Sequence, residues 1–133
     1  RRFVFEGADP YLRINGSRGF YMRGAVDLVF NIGEGNFPEN HAVIELDDAG
    51  KFDGDANMKS LHTLTVNVDD KCPGGTFTLM KGKNAVSVFA DVESQFVKGT
   101  GAERIKFVTT TEDGVEVVRA KIRKNSGLVL ILR

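Results

Sequence analysis

Residues 105–123 read IKFVTTTEDGVEVVRAKIR, and this stretch decides the fold class. Asp113-Gly114 is a strong signal for a two-residue type I′ turn, in which both central residues take positive φ. Pairing outward from it sets Thr109 opposite Val118, Phe107 opposite Ala120 and Ile105 opposite Ile122 on one face. The other face sets Val108 by Arg119 and Lys106 by Lys121. A slip of one residue would scatter the apolar set across both faces, so the register is well specified. The opposed lysines are its one cost, because like charges directly across a strand pair repel. Either the register relaxes there, or an acid or anion sits between them.

The same period-two alternation extends outward from this hairpin. Residues 76–80 and 85–89 read as a second hairpin. A turn at Gly82-Lys83 places glycine first, as type II′ requires. Leu79 then faces Val86, Phe77 faces Val88, and Thr78 faces Ser87. Phe77, Leu79, Val86, Val88, Phe107, Ala120 and Ile122 are therefore expected in the core. Residues 20–32 read as one long strand, with Phe20, Met22, Val26, Leu28, Phe30 and Ile32 on its core face and Gly24 marking a bend. Further strands are expected at 2–5, 11–14, 42–46, 61–68, 94–98 and 128–133. Residues 47–60 are the weakest stretch, a loop or a short helical turn. Fifteen glycines punctuate the sequence, and no long window has helical spacing with caps. The pattern predicts one all-β domain over 1–133: an antiparallel β-sandwich, jelly-roll-like fold or β-barrel of about ten short strands with little helix. No linker or internal repeat is visible.

Composition bounds the rest. The 133 residues, 41% hydrophobic and 27% charged, suit a globular domain with a real core. With ten Phe and no Trp, Phe must supply the large core side chains. No stretch approaches the roughly 20 apolar residues of a membrane-spanning helix. The opening residues, Arg1, Arg2, Phe3 and Val4, show neither an initiating Met nor a leader pattern. The sequence therefore reads as processed, as a fragment or as incompletely recorded, and it names no compartment. The single cysteine, Cys72, excludes an internal disulfide framework. Net charge is zero, but residues 1–24 hold five Arg against Glu6 and Asp9, and residues 27–57 hold eight acids against Lys51 alone. Such blocks can pair within the fold or between copies; a solvated surface of mixed charge is the simpler reading.

No catalytic motif stands out. His41 and His62 are the only candidate imidazole bases; His62 fits a strand end and His41 follows a turn. Ser17, in Asn15-Gly16-Ser17-Arg18-Gly19, misses the nucleophile elbow and precedes a strand. Cys72, beside Lys71, reads as a small loop residue more readily than as an activated thiolate. One Cys and two distant His give no zinc spacing. Gly99-Thr100-Gly101 lacks the third glycine and the helix of a dinucleotide site. Calcium is the least poor metal, through Asp47, Asp48, Asp53 and Asp55, with Asp69 and Asp70 in a second loop, although a solvated acidic loop explains them as well. Arg13, Arg18 and Arg23 alternate with Tyr11, Phe20 and Tyr21, a weak pattern for nucleic acid at zero net charge.

The expectation is a non-enzymatic structural or interaction module, a component of a particle, tail or surface layer, whose partner is a protein or a second copy of itself. The continuously apolar strand with Leu128, Leu130 and Leu132 is the self-association candidate. A carbohydrate- or ligand-binding sandwich, steadied by calcium, is the alternative, with Tyr11, Tyr21 and Phe89 as its aromatic platform. A hydrolase with acids drawn from separate strands is the second.

Overall fold

The computed structural model describes residues 2–14, 20–22, 27–46, 52–54, 63–82, 96–98 and 101–124. The described residues form strands β1 (Arg2–Phe5), β2 (Leu12–Ile14), β3 (Phe20–Met22), β4 (Asp27–Ile32), β5 (Ile44–Leu46), β6 (Phe52–Gly54), β7 (Thr63–Val68), β8 (Gly75–Gly82), β9 (Phe96–Lys98), β10 (Ile105–Glu112) and β11 (Val115–Ile122). A 3₁₀ turn, Ala102–Arg104, is the one helical piece among them. The all-β expectation holds.

The pairing differs from the antiparallel expectation. Three sheets form, ordered β1-β4-β7-β9, β10-β11-β8-β5-β2 and β3-β6. Six of the eight pairings are parallel; only β10 with β11 and β11 with β8 are antiparallel. Each of the first strands pairs with the third one on: β1 with β4, β2 with β5, β3 with β6, β4 with β7 and β5 with β8. The chain is thus wound in coils of three strands, each coil laid beside the last. Among the described residues all three sheets are open, with edge strands at either side, and no barrel closes. Parallel neighbours need a long connection, and here the pairs Arg2–Asp27 and Asp27–Thr63 span 25 and 36 residues.

This winding corrects the long strand expected over 20–32. Its ends belong to β3 and β4, in different sheets. It also places a strand, β6, inside the segment read as a loop. The hairpin at 105–122 has the expected register throughout, from Ile105↔Ile122 to Glu112↔Val115. Asp113 (φ 52°) and Gly114 (φ 76°) both take the left-handed conformation that the turn demands. Of the other hairpin, 85–89 lies outside the described residues. The strand itself, β8, has both edges taken at Met80 and Lys81, by Val118 and Val117 on one side and by Ile44 and Glu45 on the other.

Inward-facing residues of the two larger sheets make one core. Leu28, Phe30, Ile32, Leu64, Val66 and Val68 meet Ile44, Phe77, Leu79, Met80, Val118 and Ala120. β7 alternates cleanly, with Thr63, Thr65 and Asn67 half-buried and Leu64, Val66 and Val68 buried. In β8 the pairing passes from Thr78↔Arg119 to Met80↔Val118, leaving Leu79 as an extra residue. Such a bulge shifts the phase of a strand, which lets consecutive Leu79 and Met80 both be buried. Phe107 corrects the expected core list: it is half-buried, packed against the core rather than within it. The row Phe77, Ala120, Phe107 ends at β10, the edge of its sheet among the described residues.

The winding also brings charges of the two blocks together. Coil one carries the arginines and coil two the acids, so stacking sets Arg2 beside Asp27 and Arg13 beside Glu45 in register. Arg2 Nε donates to Asp27 Oδ2 at 3.2 Å, and the hydroxyls of Thr63 and Thr65 donate to Asp27 Oδ1 at 2.8 and 3.0 Å.

Candidate functional site

The site begins with one repeated position. Asn31 and Asn67 are register partners on β4 and β7, on the outward face next to the strand ends. Asn67 Nδ2 donates to Asn31 Oδ1 at 2.8 Å, and Asn31 Nδ2 donates to Glu6 Oε2 at 3.2 Å. Strand spacing of about 4.8 Å fixes these three polar groups as a file across three coils.

Just beyond the file the chain turns three corners, and these form one wall of a groove of about 640 Å³. Glu6, Glu34 and Asp69 contribute carboxylates, Asn31, Asn36 and Asn67 contribute amides, and Ile32 and Val68 contribute apolar surface. Asn36 holds the second corner. It sits at φ 64°, a conformation that Asn tolerates better than most residues. Its Oδ1 accepts the Cys72 thiol at 3.0 Å, and its Nδ2 donates to the Gly74 carbonyl at 3.4 Å. The Asp69 amide donates to the Ile32 carbonyl at 2.9 Å, so the second and third corners are stitched together.

Arg104 braces the back of this region. It is 7% exposed, and its guanidinium donates to the carbonyls of Cys72, Arg123 and Asp69 at 2.6, 3.0 and 3.2 Å. A buried cation needs such partners; here peptide dipoles supply them. Gly101 approaches so closely that a Cβ would lie 2.6 Å from the Val68 carbonyl oxygen, at a φ of 76°. Glycine is required there on both counts.

Chemically the groove accepts and donates hydrogen bonds. Carboxylates accept only, whereas amides do both. Among the described residues its lining contains no Ser, Cys, His, Lys or Tyr, so the groups there able to act as nucleophile or base are the carboxylates of Glu6, Glu34 and Asp69.

Of the sequence candidates, Asp69 lies in the groove and the other described ones fall elsewhere. Tyr11 is 48% exposed, donates to Glu45 Oε2 at 3.0 Å and stands edge-on to His41 with centroids 4.9 Å apart. Tyr21 lies on β3 opposite Asp53 of β6. Phe89, Asp47, Asp48, Asp55, His62, Ser17 and the strand with Leu128, Leu130 and Leu132 lie outside the described residues. Among the described residues no group of three or more His, Cys, Asp or Glu could hold a metal ion. Cys72 is buried. His41 is held by acceptors at both nitrogens, the Ala42 carbonyl at 2.7 Å from Nδ1 and Asp9 Oδ1 at 2.9 Å from Nε2. Both nitrogens can donate only in the imidazolium. The Ala42 hydrogen bond first, then that of Asp9, raises its pKa above the usual histidine value, against the opposing effect of burial.

Apart from Asp69, named with Asp70 as an acidic loop, the groove residues were missed. The signal was present: 27–32 and 63–68 read DLVFNI and TLTVNV, sharing leucine, an apolar residue, asparagine and an apolar residue at equal positions. No helix among the described residues is long and apolar enough to cross a membrane. Comparison with protein-family models, curated proteins and solved structures finds no match for the chain.

Proposed function

We propose that this chain is a non-catalytic binding module that takes a hydroxyl-rich ligand, a glycan, in the groove of Glu6, Asn31, Glu34, Asn67 and Asp69. The observation that carries the reading is the file Glu6–Asn31–Asn67, held at strand spacing along a concave wall. Sugar hydroxyls are donors and acceptors at once. They match a surface where amides alternate with carboxylates over an apolar floor. The floor here is aliphatic, so recognition relies on hydrogen bonds more than on ring stacking.

The test is a titration of the folded protein with neutral oligosaccharides, followed through the side-chain amide resonances of Asn31 and Asn67. Saturable shifts that Glu34→Ala and Asn67→Ala weaken about tenfold, roughly 1.4 kcal/mol, are expected. No saturable shift from any oligosaccharide overturns the reading. Release of new reducing ends would replace it with the hydrolase reading.

A second reading, assembly with another copy, is favoured by one observation. The three strands of the first coil, β1, β2 and β3, are each at the edge of their sheet, and Val4 and Tyr11 there are 48% exposed. Open edges invite strand addition. A native mass that stays monomeric at high concentration excludes it.

A further inference from the structure

The sequence posed a choice at Lys106 and Lys121: a relaxed register, or an anion between them. The register does not relax, since Lys106↔Lys121 stays in line between Ile105↔Ile122 and Phe107↔Ala120. Both lysines are exposed. The next strand continues the row with Thr76, the partner of Lys121. Lys106, Lys121 and Thr76 therefore stand side by side at strand spacing, about 4.8 Å apart.

These three residues line a cleft of about 430 Å³ with Arg123 and Glu103. The acid does not neutralise the row in the structure. Arg123 is turned onto the Glu103 carbonyl, at 2.7 Å, and no ion pair to Lys106 or Lys121 occurs among the described residues. Elsewhere on the same hairpin the pattern is the opposite, because Arg119 is closed by Glu112 through two hydrogen bonds of 2.9 and 3.1 Å. The cleft floor is firm: Arg104, buried beneath, ties the Asp69 and Cys72 loop to Arg123.

We infer that this cleft is a site for a tetrahedral oxyanion, a phosphate or sulfate group held between the Lys106 and Lys121 ammonium groups with the Thr76 hydroxyl donating beside them. Two ammonium groups across one strand pair can each reach a different oxygen of one tetrahedral anion. Binding then turns the like-charge repulsion into attraction. The group can be the free ion or an ester on a larger molecule; the chemistry at the lysines is the same. The site is separate from the groove at the corners of β1, β4 and β7, with which it shares no lining residue.

The experiment records backbone amide shifts of the full chain against inorganic phosphate, inorganic sulfate and a sulfated disaccharide, each at constant ionic strength set with chloride. Constant ionic strength removes general screening. Saturable shifts confined to Thr76, Lys106, Lys121 and their neighbours are expected, and the double variant Lys106→Gln, Lys121→Gln should lose at least tenfold in affinity. Tighter binding of the disaccharide than of sulfate identifies the ester as the source; equal binding identifies the free ion. Lys106→Glu, which supplies a tethered carboxylate, should abolish binding while melting no lower than the parent. Linear, unsaturable shifts overturn the inference. So do equal affinities in the parent and the double variant.

Discussion

Arg104 shows how one side chain can hold several loops. Its guanidinium satisfies three carbonyls from separated parts of the chain, and its own carbonyl accepts from the Arg123 amide. Arg104→Met keeps much of the volume but strands those carbonyls in a buried place. Bonds to charged donors contribute about 1.5–3 kcal/mol each, and unmet buried acceptors cost a similar amount. A loss of about 3 kcal/mol or more in denaturant unfolding is expected; a loss under about 1 kcal/mol would show that the brace is dispensable. His41 makes a second prediction, about pH. Its folded-state pKa is raised, so its contribution is fully present below the unfolded value, about 6.5. It is lost as pH rises through the folded-state value. The difference in melting temperature between the parent and His41→Gln should therefore shrink from about pH 5.5 to about pH 8.5. A difference constant across that window would remove His41 as its source.

At the scale of the element, two phenylalanines on one row separate what a sequence can and cannot say about burial. Phe77 is fully buried, whereas Phe107, two strands away, is half-buried at the sheet edge. Phe77→Ala should cost about 3–5 kcal/mol. Phe107→Ala, losing only part of that burial, should cost about half as much. Equal costs would mean that the edge is covered in solution. The 105–122 hairpin was legible because its information is local: Asp113-Gly114 fixes the turn, and the turn fixes every later pair. Burial of Phe107 was not legible, because it depends on what lies beyond β10. The bulge at Leu79 was hidden for a similar reason. Alternation over 76–80 names one face, but the phase shift that also buries Met80 comes from the pairing of β8 with β11.

For the whole molecule, alternation established strands but left their neighbours open, since parallel and antiparallel strands share the same period. The coils stayed hidden because their repeat is uneven, 25 residues from Arg2 to Asp27 but 36 from Asp27 to Thr63. Only the short echo of Leu28, Asn31 and Ile32 in Leu64, Asn67 and Val68 betrays them. Layered coils contact mainly their neighbours, so local stability should grade along the stack. β1 has a strand on one side only and β4 has one on both. Hydrogen exchange should accordingly be faster in β1 than in β4 and β7; uniform protection would point to a single cooperative unit or a covered first coil. The antiparallel junction of β11 with β8 has a further consequence, for polymerisation. A parallel stack is in principle a template without end, since each coil presents the edge that the next requires. In the sheet that holds β8, the reversed strand stops that propagation. Its outer neighbour β10 shows Lys106 and the exposed Thr109, Thr110 and Thr111 rather than a copy of the edge before it. In that sheet the parallel edge left for addition is the opposite one, at β2. Two molecules joined there would use up each other's parallel edge, so parallel growth from that sheet would end at a pair.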